Sequence, residues 1–151
     1  MRRENIARLA LLTTLAMALS WLESLLVLPG LLPGMKIGLA NLAVLFALYR
    51  LGLREAAAVS LTRVILASAT FGSAYSFAYS LAGAALSLAV MAGLKRLDRF
   101  SLLGVSIAGA VCHNLAQLLV AMAVLGTAQL GWYLPALLIS GVAAGTAIGA
   151  A

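Results

Sequence analysis

Arg63 stands inside an apolar run over residues 56–69, and His113, Asn114 and Gln117 stand inside a second run over residues 102–125. A guanidinium carried into hydrocarbon costs about 2.5 to 3.5 kcal/mol, so in a membrane it faces a polar chamber or a partner. The chemistry it offers there is recognition, because its planar fork of donors matches a carboxylate or a phosphate. Catalysis has less support. His113 has no positioned acid to help it activate a nucleophile. Asp98 is the only aspartate, which leaves no acidic pair to hold Mg²⁺. His113 beside Cys112 is not a zinc-ligand spacing. The chain therefore reads as a binding protein and not an enzyme, with no catalytic residue, metal or cofactor expected.

Depth sorts the remaining polar residues. Arg63 is nine positions after Arg54, so at 1.5 Å per residue it lies about 14 Å from that end, close to the middle of a core about 30 Å thick. His113 falls at a similar level, and Glu23 falls near the outer end of the first helix. Asn41, five positions after Lys36, comes about 8 Å below the opposite rim. Together these residues lie from the midplane outward, as a cavity open to the outside requires. His113 and Gln117 share a helix face, with Asn114 about 100° round it. Ser60, Arg63, Ala67 and Thr70 form one stripe, Tyr75 and Tyr79 another, and Ser76, Ser80 and Ser87 a third.

The ligand-binding candidates are Glu23, Lys36, Asn41, Arg63, Tyr75, Tyr79, His113, Asn114 and Gln117. Each has a structural alternative. Amides, serines and histidine also hydrogen-bond between helices simply to join them. Tyr75 and Tyr79 also fit an interfacial aromatic belt. Glu23 and Lys36 can reach the outer surface or each other, and Arg63 can pair with Glu23. Two cations, Lys36 and Arg63, against the single nearby Glu23 favour an anionic ligand.

Long apolar helices must hold these groups, and composition supplies them. Of the 151 residues 64% are hydrophobic and 9% charged, where soluble domains carry about 25% charged residues. Runs of about 20 apolar residues place spans near 5–28, 36–52, 54–71, 74–94, 101–125 and 132–151. The expected fold is an all-α integral membrane protein with six transmembrane helices, forming a single domain over residues 1–151. Its links are too short for a catalytic or ATPase module.

The net charge of +6 gathers at helix ends, with Arg2, Arg3 and Arg8, then Arg50 and Arg54, then Lys95, Arg96 and Arg99. The opposite loops carry only Lys36, so both termini are expected in the cytoplasm of a multi-pass cell-membrane protein. No basic patch reads as a nucleic-acid surface, and membrane lipid is the expected surrounding. The apolar run after Arg3 continues to Leu28 and is read as a retained span, not a leader. A single cysteine excludes an internal disulfide, and no phosphate-cradling glycine loop appears.

Small residues mark close helix packing. Gly104, Ala108, Cys112 and Ala116 recur every four positions on the fifth helix, as do Ala10, Thr14 and Ala18 on the first. Pro29-Gly30 and Pro33-Gly34 end the first helix and shape an external loop, either a plain turn or a lid.

The stretches PGMKIGLANLAVLFALY (33–49), SLTRVILASATFGSAYSFAYSLAGAALSLAVM (60–91) and SIAGAVCHNLAQLLVA (106–121) resemble the Gx transporter family, commonly labelled heptaprenyl diphosphate synthase component I. That family is similar to the S components of energy-coupling-factor transporters. The resemblance implies a six-helix, outward-facing substrate-binding bundle that works with a coupling transmembrane subunit and separate ATPases. It carries Lys36, Asn41, Arg63, His113 and Asn114 over as pocket residues, and Ala10, Thr14 and Ala18 as the face for the coupling subunit. The expected function is uptake of a small anionic or amphipathic metabolite. The competing expectation is a non-catalytic membrane subunit that recruits a prenyl diphosphate synthase or an electron-transfer flavoprotein. The chain lacks the aspartate-rich motifs that prenyl transfer itself requires.

Overall fold

The computed structural model describes residues 3–25 and 38–151. Among them six α-helices follow in order: α1 Arg3–Leu25, α2 Asn41–Arg50, α3 Leu53–Phe71, α4 Ala74–Leu97, α5 Leu102–Leu125 and α6 Leu134–Ala150. A 3₁₀ turn over Ala128–Tyr133 precedes α6. Local chemistry sets many of the ends. Ser73 and Ser101 accept from the backbone N–H of Ser76 and Gly104, each at 3.1 Å, and so start α4 and α5. Gly126, at φ +62°, closes α5 in the left-handed region where a side chain would be strained. Pro135 lies in the first turn of α6, where its missing N–H costs nothing because no helical acceptor awaits it.

Six transmembrane helices are expected and six α-helices are found, but among the described residues only four stretches are by themselves long and apolar enough to cross a membrane: Asn5–Leu25, Ala74–Leu97, Leu102–Leu125 and Ala128–Ala150. α3 has 19 residues but carries Arg54, Glu55 and Arg63, and it is not among the four. The expected span at 36–52 contains the 10 residues of α2, about 15 Å of helix, or half the core. Protein encloses most of this short helix: Asn41, Ala43, Val44, Leu45, Ala47 and Leu48 are buried, and α1, α3, α4 and α6 all touch it. Phe46 and Arg50 alone are exposed on it. A helix buried on most sides is apolar on most sides, and backbone can end at mid-depth where protein, not lipid, surrounds it.

One core gathers Leu12 and Ala16 of α1, most of α2, Val59, Met91, Val105 and Ile148. A smaller one joins Tyr79, Leu118, Ala121, Leu130 and Leu137. The tightest seam lies between α5 and α6, where Gly141, Gly145 and Gly149 recur every four residues. A Cβ on Gly145 would stand 2.5 Å from Ile107 Cα, and one on Gly149 3.0 Å from Leu103 Cα. The expected small-residue stripe of α5 is therefore not this seam. Gly104, Ala108 and Cys112 stay partly exposed, and the close approach uses glycines of α6.

Lys95 Nζ donates to the Leu48 carbonyl at 2.6 Å and lies 4.9 Å over the Tyr49 ring. This bond puts the C-terminal ends of α2 and α4 at one end of the bundle, with Arg50, Arg54, Arg96 and Arg99 exposed around them. Among the described residues, the turns at the other end, 72–73 and 126–133, carry no charge.

Candidate functional site

Arg63 projects from the middle of α3 and is 1% exposed. Ser60 and Ala67 share its buried face, whereas Thr70 is exposed and donates to the Leu66 carbonyl. Two guanidinium nitrogens, Nε and Nη2, are buried without a hydrogen-bond partner among the described residues. Among the described residues, the charge of Glu23, also buried, on the inner face of α1, acts on Arg63. Glu23 Oε1 accepts from the backbone N–H of Gly38.

Gly38 is where several elements meet. Its φ of +91° turns the chain into α2, and a Cβ there would come within 3.0 Å of Asn41 Nδ2 and 3.1 Å of His113 Cδ2. Asn41 in turn reaches Ser87 of α4 at 3.4 Å. The His113 ring is held from the other side by Gly83 of α4, whose Cβ position would lie 2.7 Å from Cε1 and 2.8 Å from Nδ1. Gln117 Nε2 meets His113 Nε2 at 2.6 Å. The direction of this bond follows the tautomer: an unprotonated Nε2 accepts from the amide N–H, and a protonated one donates to the amide oxygen.

Glu23, Asn41, His113 and Gln117 are thus brought together through Gly38, with Arg63 beside Glu23. They come from all of the first three helices and from α5, and α4 adds Ser87. Asn41 opens α2, nine positions from Arg50, so it lies about 14 Å from the basic end, at the level of Arg63. This is deeper than a helix starting at Lys36 implies.

Other candidates lie elsewhere. Asn114 turns to α6, donating to the Leu137 carbonyl at 2.9 Å and to Ser140 Oγ at 3.2 Å. The bare backbone of Gly141, whose Cβ would stand 3.2 Å from Asn114 Nδ2, makes room for it. Tyr79 packs in the smaller core. Tyr75, expected beside it, is 60% exposed: it lies in the first turn of α4, and a 40° offset per four residues moves it off the inner face. Ala10, Thr14 and Ala18 are all exposed on α1. Lys36 and both Pro-Gly pairs lie outside the described residues.

Sequence reasoning missed Gly38 and Gly83. Neither glycine carries chemistry, and their role exists only because another helix presses an imidazole against them. A glycine at mid-helix in α4, where it costs about 0.5 to 1 kcal/mol against alanine, was the available signal.

A family model described as heptaprenyl diphosphate synthase component I matches residues 12–151. No curated protein and no solved structure matches the chain.

Proposed function

The chain belongs to the heptaprenyl diphosphate synthase component I family, and from that premise we propose that it is the membrane-embedded substrate-binding component of a small-molecule uptake system. In this reading it resembles the S components of energy-coupling-factor transporters. All six helices form the membrane bundle, α2 largely enclosed by the others, with both termini in the cytoplasm. The ligand is an anionic or amphipathic metabolite taken from the outside.

One observation carries the proposal: polar side chains of α1, α2, α3 and α5 converge at mid-depth around Gly38. Buried polar groups are expensive in a bundle that could be closed with leucine. A cluster that includes a guanidinium is what a recognition site needs and is more than packing needs. The exposed face of Ala10, Thr14 and Ala18 supports docking of a coupling subunit, whose separate ATPases would supply the energy.

The family description and the exposed Arg50, Arg54, Arg96 and Arg99 favour a second reading, a non-catalytic subunit that recruits a prenyl diphosphate synthase or flavoprotein. Affinity purification from native membranes separates the two. Recovery of a coupling subunit with ATPases supports uptake, and recovery of a soluble synthase replaces it. Ligand-induced stabilisation lost in Arg63→Ala tests the site itself; equal stabilisation of both proteins by every anionic ligand removes Arg63 from it.

A further inference from the structure

The one stripe of α2 that protein does not enclose is the floor of a groove. Leu42, Leu45, Phe46, Tyr49 and Arg50 follow the spacing of a single helix face, and all five line a cavity of about 520 Å³. Leu102, at the start of α5, and Ile148, near the end of α6, belong to its walls. The volume lies within the range of about 300 to 1,000 Å³ that small-molecule sites occupy. From Leu42 to Arg50 the floor rises about 12 Å, most of one leaflet's hydrocarbon depth of about 15 Å. Its deep part is apolar, with Leu42, Leu45 and Phe46. Its rim carries the exposed Arg50 guanidinium and the Tyr49 ring, over which Lys95 Nζ lies at 4.9 Å. Asp98, whose charge also reaches Tyr49, is exposed on the turn after α4, where water screens it.

A trough that is apolar through one leaflet and cationic at its rim is complementary to a molecule with an acyl chain below and an anion above. We propose that it binds one anionic phospholipid of the leaflet at the basic end, with an acyl chain against Phe46 and Leu102 and the phosphate on Arg50. A zwitterionic lipid offers the same chain but sets its own cation near the guanidinium, so the head group decides between them. One Lys or Arg beside an anionic head group is worth about fivefold in affinity. Arg50 also lies in the last turn of α2, where a cation complements the helix dipole. Arg96 does the same in the last turn of α4 without lining the groove, which makes it the natural comparison. The inference stands apart from the uptake reading, because the groove is on the outer face of the bundle and the Gly38 cluster is inside it.

The test is native mass spectrometry of the purified full chain in detergent, given equal amounts of phosphatidylglycerol and phosphatidylcholine with identical acyl chains. Wild type should retain phosphatidylglycerol about fivefold over phosphatidylcholine. Arg50→Gln should lose that preference, while Arg50→Lys and Arg96→Gln keep it. Leu102→Glu sets a carboxylate in the wall at an exposed first-turn position, where the α5 dipole favours an acid, and should weaken phosphatidylglycerol as well. Folding of each variant is checked by its lipid-free Tm. Equal retention of both lipids by wild type overturns the proposal. Equal losses in Arg50→Gln and Arg96→Gln overturn it in favour of a diffuse basic surface, and an unaffected Leu102→Glu takes the chain out of the groove. A dimer that excludes lipid and separates in Leu102→Glu makes the groove an interface between copies. Displacement of phosphatidylglycerol by equimolar geranylgeranyl diphosphate replaces the phospholipid with a prenyl diphosphate. Each of these results leaves the uptake reading to its own tests.

Discussion

His113 shows how much a single side chain depends on residues with none. Its ring lies between Gly83 and Gly38, so Gly83→Ala must move either the ring or the α4 backbone. Overpacking of this kind costs about 1 to 3 kcal/mol. The expected outcome is a lower Tm together with lost ligand stabilisation; an unchanged ligand response would separate His113 from the site. Asn114 makes the opposite case. Its bonds run to α6, and hydrogen bonds between membrane helices average about 0.6 kcal/mol with a maximum near about 1.7. Asn114→Ala should lower Tm modestly and leave ligand affinity unchanged, measured by the same titration. Neighbours in sequence, His113 and Asn114 turn to different partners, because about 100° of helix rotation separates them.

At the scale of the element, α6 is defined by what it omits. Gly141, Gly145 and Gly149 let its backbone lie directly on α5, where dispersion contacts replace the hydrophobic drive that lipid cannot provide. Gly145→Ala would set a methyl 2.5 Å from Ile107 Cα and should destabilise the bundle by about 1 to 3 kcal/mol. Gly93→Ala meets nothing within 4 Å. It should leave Tm unchanged or raise it, by up to about 1 kcal/mol of helix propensity. Equal effects of the two substitutions in thermal unfolding would mean that the α5–α6 seam is not close-packed. The repeat is present in the sequence, but so is the stripe on α5, and spacing alone does not say which of two small-residue faces meets a neighbour. α2 makes a related point. Its apolar run measures as a span because hydropathy counts residues without asking whether lipid or protein surrounds them.

For the molecule as a whole, the charge asymmetry predicts an orientation. In a Cys112→Ala background, Trp132→Cys should react with an impermeant thiol reagent on intact cells, and Arg99→Cys only after permeabilisation. Trp132 is 87% exposed at the end away from the basic turns, so failure to label there would not be a matter of burial. The reverse pattern would invert the bundle and turn the polar cluster toward the cytoplasm.

Composition by itself determined that the chain is helical and membrane-embedded, since 64% hydrophobic residues with 9% charged leave few alternatives in water. Periodicity marked Arg63, His113 and Gln117 as inward-facing, because a guanidinium or imidazole in an apolar run has nowhere else to go. Only tertiary structure decided which of these groups meet. It enclosed most of α2, directed Asn114 to α6 and exposed Tyr75, and it joined Glu23 to the site through a backbone N–H. Helix spacing gives a direction from one axis, whereas a site depends on where several axes cross, and those crossings are set by long-range packing that no local pattern encodes.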